Sequence, residues 1–434
     1  MNVSILTLFP ELYQPFLQTS LLKRAAEKKL VSFSVQNLFD QVQPKERIDA
    51  PTFGHSSGML IRPDVMEKAI ESADLQFGKS FKIFLSPQGS KLTQHRAQEL
   101  WKRVASRQHV MLFASRYEGI DARVEQEYAD EIISVGDFVV MGGDIPAMLL
   151  IECLFRHMPG VVGKEESVLL DSFSGSFVDH PEYTKPVEWR EKVVPEVLRS
   201  GNHLAISTWR KEKSAELTVK KHFDWLRSCV LTKAEKDLAL QYIPHHYVAL
   251  MHTGIELKGG RIGTTSVTSI DIHDIARSGA TYDIKNYFIV TPLIDQQNMV
   301  KSLLGFWQEA EVGGQYNHDR HEAMNRVIVV NGLQEVIASI EKKEGKKPIL
   351  IGTSAKPSID ELKMLSYFDQ EKAWSHNQPV LILLGTGHGM ATELIDQCDY
   401  LLQPLQGFSQ FNHLSVRSAA AIIFDKWLGI ALKK

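Results

Sequence analysis

Cysteine is scarce in this chain of 434 residues, which contains only Cys153, Cys229 and Cys398. The three lie far apart and form no CxxC pair, which argues against a disulfide framework or a zinc site and favours a reducing compartment. No apolar run approaches the roughly 18 residues that a membrane helix needs. The N-terminus also lacks the basic start and long apolar core of a signal peptide. We therefore expect a cytoplasmic protein with no membrane partner.

An excess of one charge is also missing, because 49 Lys and Arg face 52 Asp and Glu for a net charge of −3. A nucleic-acid partner must therefore be met by local basic patches rather than by a global field. The chain has no P-loop and no Ser/His/Asp motif. GTGHG at 385–389 is too short for the dinucleotide fingerprint, which argues against a nucleotide-dependent dehydrogenase. His318 and His321 have no third ligand in the pattern, so we expect a surface helix and no metal site.

Strand-like and helix-like runs alternate along the first part of the chain. This alternation predicts an α/β fold with a mainly parallel sheet, and the length predicts two or three domains. In such sheets ligands bind beyond the carboxyl ends of the strands. Helices are expected at 10–29 and 94–106, and strands at 2–9, 31–38, 80–85, 110–114 and 131–135.

The stretch Ser134–Met148, SVGDFVVMGGDIPAM, is the strongest local signal. Its apolar run Phe138–Val140 reads as a strand, and Gly142-Gly143 would let the backbone pass through positive φ and approach a ligand closely. Pro146 suits the first turn of the helix that follows. Together these features predict a pocket lined by backbone. SPQG (86–89) and SRYEGID (115–121) follow other strands and should converge on the same edge.

After Pro159 the pattern changes. Residues 160–186 are polar and without clear periodicity, which indicates a linker or lid, and residues 189–243 read as helical and locally basic. Aromatic and basic residues are mixed there, as on an RNA-facing surface, although an ordinary solvated helical face fits the pattern equally well. From residue 247 a second α/β pattern begins, with six strand-like runs in the same order of elements. This order suggests a remote duplication of one fold.

Residues 1 to about 245 resemble the bacterial tRNA (guanine-N1)-methyltransferases, a SPOUT family. The motifs SPQG, SRYEGID, SVGDFVVMGGDIPAM, RHMPGV and DSF carry the resemblance. It implies a trefoil-knotted α/β domain, a homodimer, bound S-adenosylmethionine and a helical domain that binds the tRNA anticodon stem-loop, with no DNA partner. The implied target is guanosine 37, next to the anticodon. The resemblance leaves open whether Mg²⁺ takes part.

Site residues follow from the same resemblance. The implied tRNA-binding residues are Asn202, His203 and Arg210. Ser115 stands where the family usually has glycine, and TFGHSSGM (52–59) replaces a glycine-richer loop. The implied cofactor-binding residues are Pro87, Ser115, Tyr117, Glu118, Gly119, Val135, Gly136, Asp137, Phe138, Val139, Val140, Gly142, Gly143 and Pro146.

Methylation of guanine N1 needs a base for the N1 proton and a cation near O6, where negative charge develops. Asp171 matches the family's base, and Arg156 matches its cation. Simpler roles are open for both residues. Asp171 could be a helix N-cap, and Arg156 could extend its charge from an apolar helix toward water.

Residues 247 to about 430 resemble a second SPOUT-type domain, through DIHDIAR, IVTP, LGTGHGM and NHLSVRSAAAIIFDKW. Its implied cofactor-binding residues are Gly385, Gly387, Leu402 and Leu405. An alternative is an RNA-binding or assembly protein in which this domain, or both domains, has no catalytic activity. The glycine loops of the tail could also be plain tight turns, with the helix 414–428 serving dimerisation. The expected layout is a catalytic domain at 1–160, a linker at 161–186, a helical tRNA-binding domain at 187–246 and the second SPOUT-like domain at 247–434.

Overall fold

The computed structural model describes residues 1–54, 57–163, 171–309, 314, 317–356 and 361–430. Parts of the predicted 52–59 loop and 161–186 linker, at 55–56 and 164–170, lie outside the described residues. The chain forms two compact units, Met1–Gly175 and Ser176–Lys434. The finer division into four segments stays a prediction.

The first unit contains seven strands and six α-helices among its described residues. Its strands are β1 (Asn2–Thr7), β2 (Ser32–Asn37), β3 (Asp49–Pro51), β4 (Met59–Ile61), β5 (Phe81–Lys91), β6 (His109–Phe113) and β7 (Glu131–Ser134). Its helices are α1 (Tyr13–Leu17), α2 (Ser20–Glu27), α3 (Pro63–Phe77), α4 (Gln94–Val104), α5 (Ala122–Tyr128) and α6 (Asp144–Phe155). The prediction of a single helix at 10–29 was wrong, because α1 ends at Leu17 and α2 begins at Ser20, whose φ of 45° breaks the helical path.

Five strands form a parallel sheet in the order β2-β1-β6-β5-β7. Its central strand β6 is buried along its whole length, and apolar clusters cover both faces of the sheet. Burial on both faces explains why these strands read as continuous apolar runs. β5 continues past its predicted end, and Leu85 and Ser90 both pair with Ile133, so that residues 86–89 bulge out between them.

The second unit starts with an antiparallel hairpin of β8 (Glu188–Trp189) and β9 (Lys192–Val193). The prediction of helix from residue 189 onward was therefore wrong at its beginning. Helices follow at α7 (Glu196–Arg199), α8 (His203–Lys221), α9 (Phe223–Ser228) and α10 (Lys233–Leu240). Arg190 and Glu191 both have positive φ, at 49° and 63°, and form the tight turn that the sequence pattern did not signal.

The rest of the second unit alternates strands and helices. Its strands are β10 (His246–Met251), β11 (Ile255–Glu256), β12 (Ile262–Gly263), β13 (Tyr287–Val290), β14 (Val327–Val330), β15 (Ile349–Thr353), β16 (Met364–Leu365), β17 (Val380–Gly385) and β18 (Tyr400–Leu402). Its helices are α11 (Ser269–Thr281), α12 (Ile294–Gln308), α13 (His318–Met324), α14 (Leu333–Glu344), α15 (Gln370–Trp374), α16 (Thr392–Ile395) and α17 (Val416–Leu428).

Seven of these strands form one parallel sheet, in the order β14-β13-β10-β17-β15-β18-β16. All six predicted strands are present, and the additional β16 is only two residues long. Without the edge strands β14 and β16, the order β13-β10-β17-β15-β18 repeats the first sheet strand for strand. This shared order supports the duplication that the sequence suggested.

Candidate active site

Three loops meet at the carboxyl edge of the first sheet. The bulge at 86–89 lies against β7, because a Cβ on Gly89 would come within 2.5 Å of the Ile132 carbonyl oxygen. Pro87 is part of this bulge. A side chain at position 89 would therefore push the bulge away from its neighbouring strand.

The loop after β6 is held by the β3–β4 hairpin. The amide of Glu118 donates to the Met59 carbonyl at 3.0 Å, and the amide of Ile61 donates to the Gly119 carbonyl at 3.0 Å. Tyr117 and Gly119 have φ of 59° and 121°. These left-handed residues turn the loop sharply, so the predicted residues Ser115, Tyr117, Glu118 and Gly119 lie on one tight turn.

Gly142 and Gly143 allow a close approach rather than an unusual backbone. The prediction of positive φ was wrong, since neither glycine is left-handed and Gly143 has a φ of −78°. The amide of Gly143 donates to the Ser115 carbonyl at 2.6 Å. A Cβ on Gly143 would lie 2.7 Å from the Ser115 nitrogen, and one on Gly142 would lie 2.4 Å from Cδ of Arg116.

The apolar run Phe138–Val140 is not a strand, and this prediction was wrong. β7 ends at Ser134, where its neighbour β5 also ends, so the residues beyond have no strand with which to pair. Phe138, Val139 and Val140 are exposed, as is Met141 at 92%. The loop from Val135 to Gly143 therefore carries apolar side chains on its surface.

The remaining predicted cradle residues shape this same loop. Ser134 Oγ donates to the Gly136 carbonyl at 3.0 Å, and Lys91 forms an ion pair with Asp137. A Cβ on Gly136 would collide with the Phe138 ring, 2.4 Å away. Pro146 is buried in the first turn of α6, as predicted.

Asp144 is a functional candidate that sequence reasoning missed. Its carboxylate is fully buried and accepts hydrogen bonds from Thr7 Oγ1 at 2.5 Å, Tyr13 Oη at 3.2 Å and Arg116 Nε at 2.8 Å. Burial and the Asp144 charge raise the pKa of Tyr13 far above its ordinary value, so the phenol keeps its proton. The group joins β1, the loop after β6 and the start of α6. Two features of the sequence could have indicated this buried pair, namely the Asp within the apolar motif GGDIP and the Arg within SRYEG.

Arg156 and Asp171 form an ion pair at the other end of α6. Both are partly open to solvent, at 43% and 28% of the side chain. Asp171 is followed by turns rather than a helix, so it is not an N-cap within the described residues. α6 has 12 residues, which separates this pair from the glycine loop of the same chain by ~18 Å.

His157, next to this pair, is a titratable neighbour that the sequence did not indicate. Burial and the Arg156 charge lower the pKa of His157. The ring is therefore neutral near pH 7, and the Arg156 guanidinium is the cation of this corner.

The second unit repeats the loop arrangement. The amide of Glu256 donates to the Gly389 carbonyl at 2.9 Å, which places the β11–β12 hairpin against the glycine loop as β3–β4 is in the first unit. Gly387 has a φ of 57°, and a Cβ on Gly385 would lie 2.9 Å from the Met390 nitrogen. Leu402 is buried at the end of β18, and Leu405 packs half-buried on the core.

A buried histidine also lies beside this second glycine loop and was not predicted. His252 Nδ1 is 3.0 Å from Thr265 Oγ1, which is 2.6 Å from Thr386 Oγ1. Thr386 stands between the two glycines and donates to the Met251 carbonyl at 2.8 Å. Burial lowers the pKa of His252 to about 4. This chain of hydrogen bonds therefore holds the glycine loop in place, and the imidazole within it is neutral.

The predicted tRNA-binding residues lie at the beginning and on the surface of α8. Asn202 is the N-cap, and its side chain accepts from the Ala205 amide at 3.2 Å. His203 is exposed, and Arg210 lies 4.0 Å from Glu182 with nearly half of its side chain open. Asn202 therefore has a structural role whether or not it touches RNA.

Among the described residues, no group of three or more His, Cys, Asp and Glu is arranged to hold a metal ion. His318 and His321 lie on the short helix α13, as predicted, and His321 Nδ1 is 2.6 Å from the Trp307 carbonyl. Within the same described part of the chain, no helix is long and apolar enough to cross a membrane.

Comparisons with known proteins match both halves of the chain. Residues 1–228 match the model of the family described as tRNA (Guanine-1)-methyltransferase TrmD. Residues 245–429 match the model of a family described as SAM-dependent RNA methyltransferase. The two models leave only a short stretch of the chain between them.

Individual relatives agree with the first family model. The tRNA (guanine-N(1)-)-methyltransferase of Nitratidesulfovibrio vulgaris is 37% identical over 435 residues, which cover 99% of each chain. The one from Oleidesulfovibrio alaskensis is 35% identical over 441 residues and 100% of each chain. That of Bacillus licheniformis is 38% identical over 238 residues, 54% of this chain and 96% of its own. The protein therefore belongs to the tRNA (guanine-1)-methyltransferase family and carries a SAM-dependent RNA methyltransferase domain behind the first.

Proposed function

We propose that this protein transfers a methyl group from S-adenosylmethionine to N1 of guanosine 37, next to the anticodon of tRNA. The ion pair of Arg156 with Asp171 carries the proposal, because it brings together a proton acceptor and a cation. Family membership and the names of the full-length relatives support it. The cytoplasm, where tRNA is modified, is the proposed location.

The three loops at the edge of the first sheet would hold the cofactor. Gly143 and Gly89 each lie against neighbouring backbone more closely than a Cβ would permit, so at these two positions the loops offer backbone amides and carbonyls. Such groups match the polar edge of an adenine. S-adenosylmethionine supplies the methyl group from a positively charged sulfonium, so no protein nucleophile is required. The chain's own contribution is to align the acceptor nitrogen with that methyl group.

Asp171 would take the proton from guanine N1, and Arg156 would stabilise the negative charge that develops on O6. A carboxylate within hydrogen-bond reach of N1 acts as the general base. The guanidinium donates two hydrogen bonds in a fixed plane, which suits an oxyanion. In the structure the two groups bind each other. An incoming guanine would insert between them and exchange one ion pair for two separate contacts.

A homodimer would bring the two halves of this machinery together. Ile145, Leu149, Glu152 and Arg156 are exposed along one face of α6, and Met141 extends the apolar part of that face. Two such helices packed antiparallel about a two-fold axis would place the Arg156 end of one chain beside the glycine loop of the other. This arrangement overcomes the ~18 Å separation within one chain. The trefoil knot is part of the same proposal, supported by the return of the chain from β7 to Ser115.

The second unit is proposed to bind S-adenosylmethionine as well, at Gly385, Gly387, Leu402 and Leu405. Its shared strand order and its glycine loop favour this role over a purely architectural one. The alternative is an RNA-binding or assembly domain without catalysis. Cofactor titration of the full chain distinguishes the two, because two sites per chain are expected against one.

The direct test of the proposed function uses the full chain, labelled S-adenosylmethionine and two matched tRNAs. One tRNA carries guanosine at position 37, and the other carries adenosine there. Methylation at position 37 of the first tRNA only, located at N1 of guanosine by mass spectrometry, is the expected result. Methylation at position 37 of both tRNAs, or at another atom of guanosine 37, would contradict it. A chelator arm of the same assay measures whether Mg²⁺ contributes.

A further inference from the structure

The helices at 196–240, here called the helical segment, bury too few side chains to be stable alone. α7 has no buried residue. The buried residues of the other three helices are Ala215, Thr218, Val219, Phe223, Leu226 and Ala239. A unit of this size needs a larger core or an external support. The helical segment must therefore complete its core elsewhere.

The helical segment completes its core on residues 246–430, here called the tail. Val219, Phe223 and Leu226 belong to the same apolar cluster as the second sheet. The Phe223 ring meets the Trp374 ring edge-on, with centroids 4.6 Å apart at 68°. Trp374 in turn lies 6.3 Å from Trp427 of α17. Aromatic edges packed in this way form a continuous core rather than a surface contact.

Arg227 provides the polar part of the same junction. Its Nε donates to the Gly429 carbonyl at 2.8 Å, and a terminal nitrogen donates to the Asp425 carbonyl at 3.0 Å. Asp425 lies in the last turn of α17 and Gly429 directly follows that helix, where carbonyl oxygens lack the full set of helix partners. The Asp425 carbonyl also accepts from the Gly429 amide at 2.8 Å, so Arg227 adds a second donor there. A guanidinium there also complements the negative end of the helix dipole. One side chain of the helical segment thus caps the last helix of the tail.

The junction lies at the edge of the second sheet opposite its glycine loop. His246, at the first position of β10, accepts a hydrogen bond from Trp427 Nε1 at 3.0 Å. Gly385 ends the neighbouring strand β17, six residues long, at the other edge. The two edges are therefore about 20 Å apart. Docking of the helical segment leaves the proposed second cofactor site open.

We propose that the tail holds the helical segment in its RNA-binding arrangement, so that tRNA affinity depends on Phe223 and Arg227, which touch no RNA. α8 ends in the junction core and carries Arg210 toward its other end, in the surface proposed for tRNA. This inference rests on the proposed function for the identity of the RNA. If the helical segment is not docked on the tail, the RNA has to order it on binding. The apparent affinity for tRNA is then lower, because only a fraction of the molecules is ready to bind.

Some relatives match only the part of this chain that precedes the tail. The dependence of tRNA affinity on the tail is therefore expected only in relatives that have both parts. The Bacillus licheniformis relative matches only 54% of this chain while being covered over 96% of its own length. The Nitratidesulfovibrio vulgaris relative is matched over the whole chain. We expect the tail to hold the helical segment only in relatives that, like this one, are matched over the whole chain.

The experiment compares tRNA and cofactor affinities of full-length variants. Arg227→Met removes the carbonyl contacts and keeps the aliphatic stem. If the helical segment then docks only about a tenth of the time, the dissociation constant for tRNA rises about 10-fold. The KM for tRNA should rise similarly, with kcat and cofactor affinity of the first unit unchanged. Arg227→Lys, which retains one donor group, should recover part of the affinity.

Two further variants keep the test decisive. Arg326→Met is the control, because Arg326 donates to the Ile284 carbonyl and forms ion pairs with Asp283 and Glu322, all within the tail. Phe223→Leu replaces Arg227→Met if the latter does not fold. A folded Arg227→Met protein with wild-type tRNA affinity would overturn the inference alone. A wild-type chain that binds no tRNA would overturn the proposed function and this inference with it.

Discussion

Asp144, the first residue of α6, accepts a hydrogen bond at 2.8 Å from Nε of Arg116, which lies in the loop after β6. Asp144 is completely buried, while about a quarter of the Arg116 side chain remains open. Arg116 also lies over the Phe9 ring at 4.7 Å and donates to the Met141 carbonyl at 3.3 Å. The pair therefore holds the loop after β6 against the start of α6.

Asp144→Asn should destabilise the first unit and weaken cofactor binding. Loss of one partner of a buried pair leaves an uncompensated charge, here that of Arg116, at a cost of about 3 kcal/mol. Urea unfolding measures this, and calorimetry measures the affinity for S-adenosylmethionine. Glu27→Gln, which breaks an exposed pair with Lys23, is the control and should cost less than about 1 kcal/mol. Equal effects of the two substitutions would refute the role of Asp144.

Gly143→Ala should weaken cofactor binding more than Gly142→Ala. The new methyl group at 143 meets backbone atoms of Ser115 and Ala114, whereas at 142 it meets the flexible Arg116 side chain. Backbone cannot move aside without opening the cradle, whereas the Arg116 side chain can shift, although this weakens its contacts with Asp144 and the Met141 carbonyl. Calorimetric titration of the full chain gives the ranking. Gly163→Ala, with no atom near the added methyl, is the control. The reverse order would mean that the glycine pair is only a turn.

Acid should destabilise the second unit through His246. Burial lowers the pKa of His246 to about 4, and its two nitrogens are used by the Pro244 carbonyl and Trp427 Nε1. An unfolded histidine has a pKa near 6.5, so the unfolded state binds the proton first as pH falls. Stability present above about pH 6.5 is lost on acidification, by about 3 kcal/mol at pH 4. Between pH 7 and 4.5, the free energy of unfolding should depend less on pH in His246→Gln than in the wild-type protein. An equal pH dependence in the two proteins would contradict the role given to His246.

Gly387→Val should abolish one of two cofactor sites per chain. The side chain would meet Ile255 and Thr265 at 3.1 and 3.3 Å, and a β-branched residue resists a φ of 57°. Calorimetry should show the stoichiometry falling from two to one, with guanosine 37 methylation unchanged. Gly345→Val, also at positive φ but in open space, separates backbone strain from loss of the site. A stoichiometry of one in the wild-type chain would remove the second site from the account.

The sheets could be predicted because their strands are buried on both faces and therefore read as separate apolar runs. Phe138–Val140 has the same composition and is not a strand, since pairing depends on a neighbour that β7 lacks at this point. No local pattern contains that information. Sequence propensity describes the residue, whereas strand formation also requires a partner.

The candidate site shows the same limit. Its motifs identified the loops, because glycines at strand ends are visible in the sequence. The contact between Arg116 and Asp144 joins residues 28 positions apart and depends on how two loops fold back. The sequence predicted that Gly142 and Gly143 allow positive φ. In the structure they are required instead because Arg116 and Ser115 lie too close to leave room for a Cβ.

The most direct measurement mixes two inactive variants, Asp171→Asn and Gly142→Val, which damage opposite ends of α6. An amide cannot take the N1 proton, so Asp171→Asn alone should lose about 10²–10⁴-fold in kcat. Gly142→Val alone should lose cofactor binding in the first unit, because its larger, branched side chain displaces Arg116 from the buried Asp144 carboxylate and so separates the two loops.

If each site combines the glycine loop of one chain with the Asp171 of the other, mixed dimers regain one intact site of two. Equal amounts of the two proteins, unfolded together and refolded, should then show about a quarter of wild-type guanosine 37 methylation, since half of the dimers are mixed. Each variant refolded alone is the control. Activity no higher than that of either variant alone, with mixed dimers demonstrated by mass spectrometry, would contradict the account.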